Sequence, residues 1–275
     1  MRIRISHATT YVYNTPPTGV TQMLRLTPRH HDGQYVVDWR IDLSDDCRLH
    51  QYEDAFGNIA HTFTAEGPFD RLTVLVEGVV DTQDTHGVVS GAIERFPPSL
   101  YLRETALTQP DEAIVDFAQT TRAAAGHDTL TLLHALLGAI NREMTFDTDP
   151  TRSTTTAAEA FKLRRGVCQD LTQVFIAAAR ELGIPARYIG GHLYRADGVI
   201  AQEAGHAWAE AHVEGLGWVG FDPTNGISTG EAHVRIAMGL DYLGAAPVRG
   251  TRYGGSGETL TVAVQVEQAR QQAQN

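Results

Sequence analysis

Residues 205–225 carry a period-two pattern that few folds can accommodate. From His206 to Val213 the chain sets His206, Trp208, Glu210 and His212 against Ala207, Ala209, Ala211 and Val213. Side chains alternate across a sheet, so this strand presents one continuous apolar face. The following run, Trp218 to Asp222, matches that face if Val219 and Phe221 join it. That requires His212 to pair with Trp218 across a five-residue loop. A four-residue loop pairing Val213 with Trp218 would mix apolar and polar residues on both faces, because a one-residue slip turns every side chain over. The favoured register puts Asp222 opposite Trp208 and diagonal to His206. Such diagonal neighbours lie roughly 7–8 Å apart, a gap that two side chains can close with a hydrogen bond.

A helix precedes this hairpin. Leu171, Val174, Phe175, Ala178 and Leu182 fall on one apolar stripe. Gly183 supplies the residue after its last turn and Pro185 prevents continuation. Cys168 opens the helix, after Gly166 and Val167, where the helix dipole lowers a thiol pKa. A lone cysteine at such a place is more often a packed small hydrophobe. Here an imidazole and a carboxylate follow in register, which favours a nucleophile. The imidazole of His206 would take the thiol proton, and Asp222 would fix its tautomer. The backbone N–H of Cys168 is one candidate oxyanion donor.

The neighbouring polar residues have plainer readings. Trp208 covers the floor of a cleft, and Glu210 and His212 read as a solvated strand face. Asp170 lies in the first helical turn, where an acid is favoured without any catalytic task. A metal reading fails on distance, since His206 and His212 are separated by roughly 20 Å along one strand. His30 and His31 lie in a turn away from other ligand types. No metal and no cofactor is expected.

Residues 1 to about 83 read as β structure. Alternating runs at Met1–Ser6, Tyr11–Tyr13, Met23–Leu26, Tyr35–Ile41 and Leu72–Val80 are separated by turns rich in Pro, Gly, Asn and Asp. Short strands so spaced predict an antiparallel sandwich or barrel. After about residue 105 the pattern becomes helical. Pro110-Asp111-Glu112 opens a helix through Ala125, Asp128 precedes a second, and Thr156 to Glu159 forms a capping box for a third. Residues 145–155 read as a surface loop. Ala186–Arg195 reads as a strand. Near the end, Gly250–Gly257 reads as a tether to one strand, Thr259–Val266, which can return to the N-terminal sheet.

The net charge of −11 argues against nucleic acid and anionic membranes as partners. No apolar run of secretory or membrane-spanning length occurs, so the expected location is cytoplasmic. Cys47 and Cys168 are then expected to remain thiols.

The segments Gly166–Asp170, Leu182–Tyr188, Gly205–Trp208 and Gly217–Asn225 resemble the bacterial transglutaminase-like superfamily, whose members are often described as candidate cysteine proteases. The first 83 residues resemble the N-terminal β-domain that accompanies this core. The resemblance implies an α+β protein: an antiparallel β-sandwich (1–83), a papain-like core with helices packed on an antiparallel sheet (84–245), and a C-terminal tail with one strand (246–275). It implies a triad of Cys168, His206 and Asp222 and a thioester intermediate on a peptide, protein or small amide substrate. Animal transglutaminases carry a tryptophan directly after the cysteine. Gln169 stands here, so the second oxyanion donor is unassigned and hydrolysis is favoured over cross-linking. The alternative is a catalytically silent binding or assembly module. The oligomeric state is not legible.

Overall fold

The computed structural model describes residues 1–126 and 128–269. Six strands come first: β1 (Arg2–Thr15), β2 (Gly19–Thr27), β3 (Gln34–Leu43), β4 (His50–Glu53), β5 (Ile59–Glu66) and β6 (Arg71–Thr82). In β6 the side chains of Leu72, Val74, Val76 and Val80 are buried, with more accessible residues between them. This is the alternation that an antiparallel sheet with one covered face demands.

A two-residue strand, β7 (Val88–Val89), and a 3₁₀ turn at Pro98–Leu102 lead into the helices. These are α1 (Glu112–Ala125) and α2 (Thr129–Glu143), then β8 (Thr145–Phe146), α3 (Ala157–Leu163), β9 (Arg165–Gly166) and α4 (Cys168–Glu181). Their starts follow from capping chemistry. Asp111 accepts from the Ile114 N–H at 3.0 Å, and Asp128 from the Thr131 N–H at 2.8 Å. Thr156 and Glu159 close a capping box. Each satisfies amides that a helix start leaves free.

The remainder is mostly strand: β10 (Ala186–Leu193), β11 (Ala201–Gln202), β12 (His206–Val213), β13 (Gly217–Asp222), β14 (Ile227–Ser228) and β15 (His233–Gly239). A short helix α5 (Tyr242–Ala245) precedes β16 (Val248–Tyr253) and β17 (Ser256–Gln268). Four of these strands, β11, β14, β15 and β16, were not expected. The stretch read as a tether contains most of β16 and the start of β17, so the C-terminal tail supplies two strands rather than one. Strand β16 is a sheet edge with mostly exposed side chains, and its sequence has no apolar alternation to betray it. Residues 270–275 of that tail lie outside the described residues.

Two antiparallel sheets, β11-β17-β1-β6-β3 and β16-β2-β5-β4, face each other across Tyr13, Leu24, Phe63, Leu72 and Val74. The core sheet runs β14-β13-β12-β10-β15, with β7 added beside β13. Helix α4 packs on β10 and β12 and against α1, α2 and α3. It is enclosed on every side: Thr172, Gln173 and Arg180 are buried along with its apolar stripe. Arg180 survives burial because its guanidinium donates to the carbonyls of Tyr101, Ala186 and Leu240 and to the Thr108 hydroxyl. Ile3, Ile5, Val80, Val264 and Val266 belong to the same apolar cluster as these helices. The first sheet and the helical core therefore share one interior.

Candidate active site

Hairpin β12–β13 has the register that the alternation predicts. His212 pairs with Trp218, Ala211 with Val219 and Ala209 with Phe221. Ala207, Ala209, Ala211, Val219 and Phe221 all join the helical core. One step beyond the last pair, the His206 and Asp222 side chains converge, with Nε2 of His206 2.7 Å from Oδ2 of Asp222.

Cys168 is the first residue of α4 and is partly exposed, and its sulfur is one of the groups that raise the pKa of His206. Asp170, one turn on, accepts the Val167 N–H at 2.8 Å and so fixes the entry into the helix. Gly166 is needed for that contact. A Cβ there would lie 2.6 Å from Oδ2 of Asp170 and 2.8 Å from its Cβ. Asp170 is therefore a structural cap, and burial pushes its carboxyl pKa up. Tyr188 and Tyr242 meet edge to face at 6.1 Å beside the thiol. Burial, and then the nearby Cys168, raise the pKa of both hydroxyls, so they remain donors.

Burial alone would lower the pKa of His206. The Asp222 carboxylate and then the Cys168 sulfur more than reverse this and hold it up to about 10. With Nε2 turned to Asp222, Nδ1 is the nitrogen left for the thiol. Asp222 is fully buried, which disfavours its charge, yet its pKa lies well below the usual carboxylate range because His206 and then His233 stabilise the anion. Five donors converge on it. His206, Asn225 Nδ2 at 2.7 Å and His233 Nε2 at 3.2 Å reach Oδ2; the amides of Thr224 at 3.1 Å and Asn225 at 3.2 Å reach Oδ1.

Residues 3–81 match the bacterial transglutaminase-like N-terminal region, and residues 115–223 match the transglutaminase-like superfamily. The chain is 30% identical over 280 residues to the Mycobacterium leprae protein ML0607, covering 96% of this chain and 98% of that one. The chain belongs to the transglutaminase-like superfamily. The Mycobacterium tuberculosis protein Rv2569c is 28% identical to this transglutaminase-like chain over 290 residues, covering 97% and 92% of the two. The crystal structure of a candidate cysteine protease from Cytophaga hutchinsonii shares the fold, with a TM-score of 0.79 at 19% identity over 100% of this chain and 92% of that one.

Three features of this transglutaminase-like site escaped the sequence. Glu210 is not solvated. It is fully buried, because Glu94, Arg187 and Arg235 close over its strand face. Alternation shows which face is polar but not what covers it. Trp208 likewise packs with Ile189, Met238 and Phe56, within the protein. His233 was missed altogether, since nothing predicted β15. The strand was not read from its sequence, and His233 lies past the segment that matches the superfamily.

His206, Asp222 and His233 place three ligand-type atoms within 4.8 Å of one another, a grouping a metal could use. Hydrogen bonding accounts for it instead. The Gly230 N–H donates to Nδ1 of His233 at 3.2 Å, so Nε2 carries the hydrogen and directs it at Asp222. Among the described residues no helix is long and apolar enough to cross a membrane.

Proposed function

We propose that this protein is a cysteine-dependent hydrolase of amide or peptide bonds, with Cys168 as nucleophile, His206 as general base and acid, and Asp222 as the residue that orients His206. One observation carries the reading. The Asp222 carboxylate is bonded to one ring nitrogen of His206, which supports a base held by an acid, and Cys168 opens the helix that faces the same sheet.

His206 acts as general base and takes the proton from the thiol as the nucleophile is engaged. The thiolate attacks the carbonyl carbon, forming the S–C bond. The resulting oxyanion is met by the amide of Cys168, one of the donors that a helix start leaves unused. As the C–N bond breaks, His206 protonates the departing amine and leaves a thioester. Water then attacks the thioester carbon while His206 takes its proton. The C–S bond breaks, the acid leaves and the thiol is restored. Water is the acceptor in this proposal.

The test is alkylation by iodoacetamide at pH 6. Cys47 is an internal control, since burial and then Asp45 and Asp46 push its thiol pKa up. Cys168 is expected to react at least about tenfold faster than Cys47, and His206→Ala to remove the difference. Equal, slow reaction at both cysteines would favour the silent module and sink this reading. Screening peptide and glutamine-amide libraries by mass spectrometry, with Cys168→Ala as control, then identifies the substrate and acceptor.

A further inference from the structure

We infer that His233 is a positioning residue for this site, holding the Asp222 carboxylate in the orientation that His206 requires. The inference rests on the cysteine-hydrolase reading above and extends it beyond the segment shared with the superfamily.

Both nitrogens of His233 are committed. Nδ1 accepts from the Gly230 amide, which sets the tautomer, and Nε2–H points at Oδ2 of Asp222. The ring is 7% exposed and packs edge-on against Trp208 at 5.2 Å, so it has little freedom to turn. The source of each donor is what matters. The amides of Thr224 and Asn225 and the Asn225 side chain all lie within three residues of Asp222. These three donors move with the chain that carries the carboxylate, so they hold its rotation only relative to their own turn. His233 belongs to β15, which pairs with β10, and β10 in turn pairs with β12, where His206 lies. The backbone of Asp222 already ends β13, beside β12, so what His233 adds is a side-chain donor to the carboxylate from a strand on the far side of β12.

A buried carboxylate with fewer donors binds a proton more readily. Loss of His233 thus acts through Asp222 in two ways: the carboxylate gains freedom to rotate, and it is neutralised at a higher pH. Among the described residues, the titratable groups that act on this cluster are His206 from β12 and His233 from β15 on Asp222, Cys168 from α4 on His206, and His192 from β10 beside His206.

The experiment is the pH profile of Cys168 alkylation in the full chain, wild type against His233→Phe, His233→Asn and His233→Gln. Phenylalanine keeps the packing on Trp208 and removes the donor. The asparagine amide nitrogen falls short of Asp222, whereas that of glutamine reaches where Nε2 does. Phenylalanine and asparagine are expected to slow labelling at pH 6 about tenfold and to move the acid limb up by about one pH unit, the two being the same change in free energy. Glutamine is expected to keep both within about threefold of wild type. Wild-type profiles in the first two variants, or equal impairment in all three, overturn the inference. If the phenylalanine variant fails to fold, the asparagine–glutamine pair decides. Nitrogen NMR of the wild-type ring is a further check, and a hydrogen on Nδ1 of His233 rather than Nε2 also overturns it. A wild-type Cys168 no faster than Cys47 removes the hydrolase reading, and this inference with it.

Discussion

Glu210 and Arg187 meet at 2.7 Å with neither side chain exposed to solvent. Arg235 holds the other carboxylate oxygen at 2.8 Å, and Glu94 takes the far end of Arg187 at 2.7 and 2.9 Å. The Arg187 guanidinium also lies 3.8 Å over the Trp218 ring. Glu210 shares a strand with His206, so this network anchors that strand to β10, β15 and the segment before the 3₁₀ turn.

Removing the central charge while keeping its shape isolates the electrostatic contribution. Glu210→Gln leaves two arginines facing an uncharged amide in the interior. Breaking a buried pair in this way costs about 3–5 kcal/mol. Urea unfolding is expected to show a loss of that size, and a loss below about 1 kcal/mol would mean that the network contributes little.

Asp222→Asn tests the acid directly. The amide cannot stabilise a charged imidazole, and an opposite charge at this distance is worth roughly 1–3 pK units. Iodoacetamide labelling of Cys168 at pH 6 is expected to fall at least about tenfold, with the melting temperature shifting much less than in Glu210→Gln. Unchanged labelling would remove Asp222 from the reaction.

Buried histidines contribute to the response to acid, and two of them are in contact. His7 of β1 and His192 of β10 meet edge to face at 5.3 Å, joining the first sheet to the core. Burial lowers the pKa of His7 to about 4 and that of His192 well below its ordinary value. The unfolded chain binds protons at both near pH 6.5, and the folded chain does not. Stability is therefore present above pH 6.5 and lost as pH falls from there toward 4, by about 2 kcal/mol at pH 5 for His7 and in the same direction for His192. His206 has the opposite sign, because its raised pKa gives stability that is full below pH 6.5 and lost as pH rises through about 10. Urea midpoints from pH 5 to 7 are expected to flatten in His7→Phe; an unaltered slope would show that His7 does not drive it.

Gly166→Ala probes the helix entrance. The new methyl must displace Asp170, whose backbone and side chain are both close by. Overpacking of this kind costs about 1–3 kcal/mol. The same variant is expected to slow Cys168 alkylation, because the bond between Val167 and Asp170 that aims the first turn is broken. Full reactivity together with lowered stability would separate the two effects.

The sequence alone determined whatever depends on near neighbours. Asp111, Asp128 and Thr156 mark helix starts because a side-chain oxygen satisfies amides two or three residues on, and Gly183 marks an end because its φ is +77°. The β12–β13 register was legible because a slip would have turned the faces of both strands over, and it brought His206 to Asp222. Tertiary structure alone decided the burial of Glu210, the place of β16 at a sheet edge and the approach of His233 to Asp222. Those depend on segments far apart in the chain closing over one another, and a periodic pattern records only that a face is polar or apolar, not which distant residue will cover it.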